Sequence, residues 1–566
     1  MSTTTDRMPD GVERVGTRWR PHVPRMMAWV VRIAAVIAVA DILEPHERPH
    51  VASRTMDAAV HGAVFAAAMC AAGVMVVLAA GLRRRKRRAW RLTLSAAALG
   101  GLGHLVAQRW TVVAVNAVVI ALLMWTRSDF TARSERTGRL KALRVLLVMG
   151  TFSVASGLMI TARAAPSSSW SARLGEVFLG LIGFTPELQF GRELGSQFTT
   201  VALNSLGAVT ALLTVAAFLA PARKPARLTP DVERRLRDLL TRYGARDSLG
   251  YFALRGDKVA MFASGGKAAV VYRVVGSVSL ASGDPIGDPE AWPQAISAWL
   301  DEADAYAWTP GVIGASEQAA IAYRRAGLDA YELGDEAVIE TSTFTVDGRA
   351  MRGVRQAVNR VRRTGHDVDV SRQRDLDDVA LAEIARSAAQ WRGDEAERGF
   401  SMALGRIGDE RDGDLVLVRV RDAAGHLVCV LGFVPWGPDG LSLDLMRREP
   451  TSENGTVELA VTSLMTAAAG LGVQRVSLNF AVFRAVFDRG SRVGAGPVLR
   501  LWHKVLVLAS RWWQLESLYR ANAKFCPQWR PRFVCFRRVA ELPRVGLAAL
   551  EAEAFVRRPR LAWLGR

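Results

Sequence analysis

From Met26 to Ala220 the chain is a series of long apolar runs broken by short clusters of Arg and Lys; beyond that point short alternating and amphipathic segments take over. A bilayer core about 30 Å thick takes roughly 20 apolar residues per helix. Ala58–Leu82, Val145–Ala162 and Val201–Ala220 approach that length, and Met26–Leu43 nearly does despite Arg32. Leu92–Trp125 is too long for one pass and divides into two near Gln108-Arg109. The expectation is a membrane domain of about six helices over 26–220. Leu174–Phe190 is apolar in part, but Glu176, Pro186 and Glu187 place it at the interface rather than across the bilayer.

The basic clusters set an orientation. Arg14, Arg18, Arg20 and Arg25 precede the first run, Arg83-Arg84-Arg85-Lys86-Arg87-Arg88 follows the second, more lie between Arg127 and Arg144, and Arg223, Lys224 and Arg227 follow the last. In this topology all four clusters fall on one side, which the positive-inside rule makes cytoplasmic, together with the N-terminus and everything after Ala220. The charged N-tail and the later spans argue against a cleaved signal peptide.

After a basic linker and helix over 221–248, the pattern reads as one α/β theme used twice. Strands are predicted at Tyr251–Leu254, Lys258–Ala263, Ala268–Val274 and Val278–Ala281, then a helix over Glu290–Ala303, a short strand, a helix over Gln318–Ala326, and strands at Ala330–Leu333 and Ala337–Thr341. The second copy has a helix over Val379–Trp391 and strands Asp414–Arg421, Leu427–Pro435 and Leu441–Arg447, with turns at Asp422-Ala423-Ala424-Gly425 and Gly437-Pro438-Asp439-Gly440. A helix Val457–Leu471 and a strand Arg475–Phe480 follow. Antiparallel strands that feed a helix and return as a further strand follow the order of the Gcn5-related N-acetyltransferase fold. The expected class is therefore a polytopic α-helical membrane domain followed by tandem folds of that type. The expected bounds are 1–25 for a basic tail, 249–348 for the first fold, 349–370 for a basic connecting helix and 371–566 for the second fold with the catalytic site.

A net charge of +20 over 566 residues favours polyanionic partners, anionic lipid or nucleic acid. Cys70, Cys429, Cys526 and Cys535 have no paired metal spacing, and among the eight histidines only His46 and His50 lie close together, in a predicted external loop. A metal enzyme is not expected, and a cytoplasmic catalytic part would keep its thiols reduced.

Several strings carry a more specific message. Ser282-Gly283-Asp284-Pro285-Ile286-Gly287-Asp288-Pro289, Ser342-Thr343-Phe344, Arg355-Gln356-Ala357-Val358-Asn359-Arg360, Arg398-Gly399-Phe400-Ser401, Ser442-Leu443-Asp444-Leu445-Met446-Arg447, Asn454-Gly455 and the tail from Tyr519 to Phe533 occur in that order. Together they resemble the C-terminal domain of lysylphosphatidylglycerol synthases, the multiple peptide resistance factor family, from about Leu249 to Val545. Leu441–Gly496 and Leu501–Arg520 look closest to the actinobacterial form, in which this domain is fused to a lysyl-tRNA synthetase. With the chain ending at Arg566, the expectation is that charged tRNA comes from a separate synthetase.

The resemblance implies transfer of an aminoacyl group, lysyl by analogy, from tRNA to a glycerol hydroxyl of phosphatidylglycerol at the cell membrane. It also implies resistance to cationic antimicrobial peptides. Such ester-to-ester transfer needs no cofactor; it needs help for hydroxyl attack, donors for a tetrahedral oxyanion and a grip on anionic substrates. The amino acid, the exact lipid, any lipid flipping and any homo-oligomer stay open.

Asp444 is the first candidate. It shares a strand face with Ser442, and aspartate is depleted in strands, so it has either a task or a partner such as Arg447. The Asp-x-x-Arg motif of the family gives both residues catalytic weight, with Lys524 beside them. Asn454-Gly455 opens the next helix and offers backbone N–H groups to an anion, or is an ordinary cap. Glu453 and Glu458 suit a cationic aminoacyl side chain or are simply solvated; Ser401 is a substrate donor or a turn serine. Lys524, Trp529 and Arg532 combine basic and aromatic character suited to phosphate, a stacked base or headgroups, with Trp529 also suited to packing. Arg352, Arg355 and Arg362 lie on one face of a helix over Arg349–Arg363, a tRNA or anionic-lipid surface if it is not merely solvated. Gly283-Asp284-Pro285 reads as a structural turn.

Two other readings stand beside this one: a membrane-anchored acyl- or acetyltransferase, and a non-catalytic membrane binding protein with a degenerate transferase fold. The first would keep the Gln/Arg-x-x-Gly-x-Gly/Ala coenzyme A loop where this chain has Thr451-Ser452-Glu453-Asn454-Gly455-Thr456. The second would tolerate loss of Asp444, Arg447 and Lys524, which are all present.

Overall fold

The computed structural model describes residues 23–43, 73–106, 110–130, 132, 137–182, 193–219, 227–394, 397, 399–482 and 521–556. The chain forms two compact units, one essentially Met1–Arg223 and the other running from Lys224 to Pro559.

The first unit is helical: α1 (Val23–Leu43), α2 (Gly73–Arg83), α3 (Arg87–Val106), α4 (Trp110–Trp125), α5 (Thr137–Ala164), α6 (Trp170–Leu181) and α7 (Glu193–Phe218). Among the described residues two helical stretches are long and apolar enough to cross a bilayer, Arg139–Ala164 and Thr199–Phe218. The first part of the predicted span Ala58–Leu82 and the turn at Gln108-Arg109 lie outside the described residues. The predicted interfacial segment begins as α6, whose 12 residues are short of a span.

Without water to squeeze out, helices in lipid associate through small residues and polar contacts. A side chain at Gly157 or Gly180 would strike Leu203 of α7, and one at Gly207 would strike the Leu181 carbonyl. Ser153 and Thr210 share a buried hydrogen bond of 2.9 Å. The buried Lys86 ammonium donates to the Leu219 carbonyl at the end of α7, and its backbone bridges to Ala132 beyond α4. Arg88 stacks over Phe218, 4.9 Å from the ring centroid. The ends of α2, α4 and α7 and the start of α3 thus meet at one end of the bundle, where the basic clusters Arg83–Arg88 and Arg127 onward begin.

The second unit is built on a 12-stranded sheet in the order β1-β2-β3-β5-β12-β6-β11-β10-β9-β8-β7, with β4 beside β2. The strands are β1 (Val259–Phe262), β2 (Ala268–Val275), β3 (Val278–Ser282), β4 (Ile286–Gly287), β5 (Thr309–Ala315), β6 (Asp329–Glu340), β7 (Asp367–Arg372), β8 (Val416–Arg421), β9 (Leu427–Trp436), β10 (Gly440–Arg448), β11 (Arg475–Val482) and β12 (Gln528–Phe536). The helices are α8 (Pro230–Tyr243), α9 (Trp292–Ala305), α10 (Glu317–Arg325), α11 (Arg352–Arg363), α12 (Asp378–Arg392), α13 (Thr456–Ala467) and α14 (Leu542–Ala552).

The repeated theme is visible in the register. β2 and β3 are antiparallel, and β3 passes through α9 to a parallel β5; β9, β10, α13 and β11 repeat the arrangement. On one sheet face, Val354, Val358 and Val361 of α11 and Leu459, Ala460 and Leu464 of α13 pack on Val416, Val418, Phe433 and Leu441. On the other, α12 buries Ile384 against Leu417, Leu427 and Val430, and α8 buries Leu236, Leu239 and Leu240 with Phe252 and Leu254. Each such large aliphatic side chain contributes about 1.5–3 kcal/mol of transfer free energy.

The sequence reading departs from this structure in several places. Tyr251–Leu254, predicted as a strand, lies in a 3₁₀ turn over Gly250–Leu254 that buries Phe252, Ala253 and Leu254 against α8. The two strands predicted around Gly334-Asp335 are one strand, because β12 and β11 flank it and satisfy the backbone through that turn-like pair. The basic connecting helix ends at Arg363, and Asp367–Arg372 is edge strand β7.

The largest departure is β12. It comes from the end of the chain yet lies between β5 and β6, and α14 packs its Val545 and Ala548 under β3 and β5. The predicted bounds of the two folds are therefore crossed: the first is completed by residues from beyond 520. Pro531 is tolerated because that half of β12 pairs with β6 alone, leaving its missing donor on an unpaired side.

Candidate active site

β10 carries the first candidate residues. Its ladder with β9 shifts between Leu443 and Leu445, so Asp444 is the extra residue of a bulge. Leu441 and Leu443 pack toward α13, but past the bulge Leu445 packs toward α12 with Ile384. The bulge thus breaks the predicted Leu441–Leu443–Leu445 alternation. Beside it β10 and β11 part: their parallel pairing covers only Gly440–Ser442 and Arg475–Ser477. Asn479, at φ 68°, bridges the opening by donating to the Leu443 carbonyl. Strained non-glycine residues of this kind cluster where a site is being shaped.

The Asp444 carboxylate accepts a hydrogen bond from the Leu404 backbone N–H. Burial pushes its pKa up from 3.8 to about 6, against the lowering pull of that N–H and of Arg255, and with Asp412 adding repulsion. The expected pair with Arg447 is not made; Arg447 reaches toward Glu397 instead, at 3.9 Å. Asp444 is therefore a half-buried carboxylate held by a backbone donor, with its pKa raised to about 6.

Leu404 belongs to a loop, Gly399–Gly405, that is fixed from three directions. Glu553, just past α14, accepts from the backbone N–H of Phe400 at 2.7 Å, from that of Ser401 at 2.9 Å, and from the Ser401 hydroxyl. Arg255 of the first copy donates to the Ala403 carbonyl. Gly399, at φ 128°, has no room for a side chain, since a Cβ would lie 2.3 Å from the Met402 carbonyl oxygen. Ser401 is 1% exposed and committed to Glu553, so it is a loop anchor rather than the substrate donor expected from sequence. Arg398 lies outside the described residues.

Replacing Glu553 with Ala should release three donors and let the Leu404 N–H drift from Asp444. We expect kcat to fall at least about threefold, roughly 0.6 kcal/mol, with KM little changed and the melting temperature lowered, because Phe400 and Ser401 are buried and lose their acceptor. Steady-state kinetics on the intact membrane protein would check this; unchanged kcat would leave Glu553 a fastener only.

A cleft of about 430 Å³ opens on this side of the sheet, lined by Arg255, Asp257, Arg392, Glu397, Leu404 and Arg447, with alanines of α12 behind them. Under the turn at Gly256, Lys258 is fully buried, donating to the Phe252 carbonyl at 3.0 Å and the Ser282 hydroxyl at 2.7 Å. Burial lowers its pKa to about 7. Arg255, Arg392, Lys258 and Glu553 are the residues the sequence reading missed. Arg255-Gly256-Asp257 gave only a turn signal, and the rest no local signal at all.

The other predicted residues divide sharply. Lys524 and Glu458 are brought together as an ion pair of 2.8 Å, with Lys524 about half exposed. Ser442 is fully buried, 3.5 Å from the Asn479 amide oxygen, where no substrate reaches it. Glu453 accepts from Thr364 at 3.3 Å, and the Asn454 carbonyl accepts from Arg360 at 2.9 Å. Gly455, at φ 116°, lets α13 approach α11: a Cβ there would sit 3.0 Å from Val361 and 3.1 Å from the Ala357 carbonyl. The 453–455 segment thus serves helix packing, which favours the ordinary cap of the two alternatives the sequence left open. Trp529 is half-buried and packs against the edge of the core on the sheet face beneath α11 and α13.

Arg532 is corrected most strongly. It is 4% exposed and donates to Glu336 at 2.6 and 3.0 Å, Asp247 at 2.7 Å, Ser248 at 2.7 Å and the Gly314 carbonyl at 3.1 Å. Burial alone would raise the Glu336 pKa, but Arg532, Ser248 and Ser477 outweigh it and hold it low. Asp284, buried beside Asp247, is pushed up to about 7 and accepts from the Ser316 N–H and hydroxyl at 2.8 and 2.6 Å. The Gly283-Asp284-Pro285 string is thus a strand-end tie.

A mixed sheet made of two strand–strand–helix–parallel strand units is the arrangement of the Gcn5-related N-acetyltransferase fold, here in tandem. Residues 237–536 match the family described as "Phosphatidylglycerol lysyltransferase, C-terminal", and the chain belongs to that family. Residues 19–219 match the "Transmembrane region of lysyl-tRNA synthetase", so the first unit is a membrane region.

Among similar proteins, the "Lysylphosphatidylglycerol biosynthesis bifunctional protein LysX" of Rhodococcus opacus (strain B4) is 47% identical over 506 residues, covering 87% of this chain and 45% of that protein. The protein of the same name from Mycobacterium marinum (strain ATCC BAA-535 / M) is 45% identical over 498 residues, covering 85% of this chain and 45% of that protein. The chain thus spans about half the length of the curated relatives it matches. The structure of L-PGS from Bacillus licheniformis superposes with a TM-score of 0.46 at 21% identity, over 60% of this chain and 99% of that one. A likeness of that size decides nothing about the site.

Proposed function

We propose that this chain is a phosphatidylglycerol lysyltransferase that moves an aminoacyl group, lysyl in the first instance, from aminoacyl-tRNA to the glycerol hydroxyl of phosphatidylglycerol. The observation that carries this is Asp444, a carboxylate raised to about 6 and held by the Leu404 N–H beside a cation-lined cleft, in a chain of this family. The glycerol hydroxyl attacks the ester carbonyl, its proton passes to the Asp444 carboxylate, and the tRNA ribose hydroxyl leaves and takes the proton back. A carboxylate paired to an arginine would be too acidic for this, and burial moves Asp444 the useful way. The Lys524–Glu458 pair is a second polar feature whose role in substrate binding we place with the donor.

In this reading the first unit is multi-pass in the cell membrane and both termini are cytoplasmic. The meeting of basic clusters at one end of the helices supports that orientation. The donor is lysyl-tRNA and the acceptor an anionic phospholipid. Membranes carrying the protein should move label from lysyl-tRNA into chloroform-soluble lipid, and ribonuclease should abolish the transfer. Transfer that survives ribonuclease, or that needs acetyl-CoA, would overturn the proposal.

α11 supports a polyanion surface in the same reading. Arg352 and Arg362 are exposed on the side away from Val354, Val358 and Val361. Arg355 is not available in the same way: it is half-buried and donates to the Val346 carbonyl at 2.7 Å and the Gly348 carbonyl at 3.3 Å. We expect Arg352→Glu with Arg362→Glu, leaving Arg355 in place, to weaken tRNA binding at least about tenfold at low salt and to flatten its salt dependence. Filter binding across a salt series is the check, and an unchanged slope would make the face merely solvated.

A further inference from the structure

The cleft beside Asp444 has a composition that the transfer chemistry alone does not require. Its wall toward the first copy is Arg255, its wall toward α12 is Arg392, and Arg447 of β10 lies on the same lining. Their floor is small and apolar: Ala385, Ala388, Ala389, Ile407 and Leu445. The volume of about 430 Å³ falls in the range of small-molecule sites.

Each guanidinium has five N–H donors, and among the described residues the bonds made by Arg255 and Arg392 use only some of them. Arg255 gives its Nε to Asp257 at 2.8 Å and one Nη1 hydrogen to Ala403. Asp257 is itself shared with Arg273, so it neutralises Arg255 only in part. Arg392 gives Nη1 to Glu397. Two planar forks on the lining of one cleft suit the tetrahedral, monoanionic oxygens of a phosphodiester, which guanidinium groups bind with directed, charge-assisted hydrogen bonds.

We propose that this cleft is a phosphodiester subsite, with Arg255 of the first copy and Arg392 of α12 as its two clamping residues. The inference rests on the lysyltransferase reading for the identity of the two candidate sources: the lipid headgroup and the 3′ end of the tRNA. The first copy thereby contributes a substrate-binding residue to a site whose carboxylate belongs to the second. The apolar floor suits the glycerol carbons adjoining the phosphate of a lipid.

The test uses the full chain in detergent or nanodiscs, with two probes: dioctanoyl phosphatidylglycerol for the lipid source and an RNA minihelix ending in CCA for the tRNA source. Arg255→Gln and Arg392→Gln are each expected to weaken binding of one probe at least about tenfold and leave the other within about twofold. The KM for the matching substrate should rise by a similar factor, with kcat less affected. Because Arg255 also holds the Ala403 carbonyl, Ala388→Phe serves as a second variant: it fills the floor without touching any ion pair and should weaken the same probe. If Arg392→Gln and Ala388→Phe, melting as the parent does, bind both probes normally, the subsite is refuted. A parent that binds the lipid probe through these residues yet transfers no lysyl group would sink the lysyltransferase reading and leave the subsite standing. A parent that transfers lysyl groups while all three variants match it would do the reverse.

Discussion

Replacing Asp444 with Asn is expected to abolish most aminoacyl-lipid formation while leaving the protein in the membrane at its usual level. The change keeps shape and removes the ionisable group. The Asn amide oxygen can still accept the Leu404 N–H, so the Gly399–Gly405 loop keeps its tie to β10. Product should fall at least about tenfold, or about 1.4 kcal/mol in barrier, with tRNA binding unchanged.

Stability should not fall, because the Asp444 pKa is raised, from 3.8 to about 6. A raised acid favours the folded state most when protonated, so its contribution is present below about pH 4 and is lost as pH rises through about 6. At neutral pH the carboxylate is a cost, and the neutral amide relieves it. The pH profile gives an independent reading: parent kcat should rise with pH through about 6 as the carboxylate ionises, and the residual rate of the variant should lack that step. Lipid mass spectrometry together with protein quantification separates the outcomes. An Asp444→Asn protein that is stable and fully active would place the chemistry elsewhere.

The second large effect is expected at Arg532, and it is one of stability. Arg532→Met leaves Glu336, Asp247 and Asp284 buried around a neutral side chain. Removing one partner of such a cluster costs about 3–5 kcal/mol. For a domain of this size that is a large share of the total, and the variant should accumulate poorly or melt well below the parent. Whatever folds should transfer lysyl groups at close to the parental rate per molecule, since Arg532 is enclosed on all sides and does not line the cleft.

Acidity should partly rescue the variant. Without the guanidinium, Glu336 and Asp284 lose the charge that pulls their pKa values down, so their protonated forms favour folding and stability is lost as pH rises. In the parent the same sign already holds for Asp284 alone: burial and then Asp247 raise it from 3.8 to about 7, so its contribution fades between those values. Thermal melts from pH 5 to 8 on both proteins would show the steeper dependence in the variant. A variant with parental stability would mean the cluster is not the clamp its geometry describes.

Arg532 also shows where reading a linear string runs out. In the tail from Tyr519 to Phe533 it looks like one more basic residue among aromatics and prolines, no different from Lys524 or Arg530. Lys524 does end up exposed, beside Glu458, as a surface reading expects. Arg532 ends up enclosed because its strand is inserted between β5 and β6, next to acids 196 and 285 positions earlier in the chain. Asp444 was legible for a comparable reason of contrast: a charged residue in the middle of an apolar strand stands out without any neighbour being known. Its actual partner, a backbone N–H on a loop 40 residues away, has no side-chain identity to notice.

By itself the sequence determined what local physics governs. The length of apolar runs marks a membrane part, amphipathic spacing places α9, α11, α12 and α13, and glycine- and aspartate-rich turns delimit β8, β9 and β10. The repeat of strand, helix and returning strand, and the ordered strings that led to the family, belong to the same level. The tertiary structure alone decided that β12 completes the first copy and that β10 bulges at Asp444. It also decided that Arg255 and Glu553 fix the loop capping that carboxylate, and that Ser401, Ser442 and Arg532 are interior. The physical reason is common to all of these. Periodicity and turn chemistry act over a few residues, whereas pKa shifts, clefts and buried ion pairs arise from desolvation and contact between segments distant in sequence, and only the closed sheet brings those segments together.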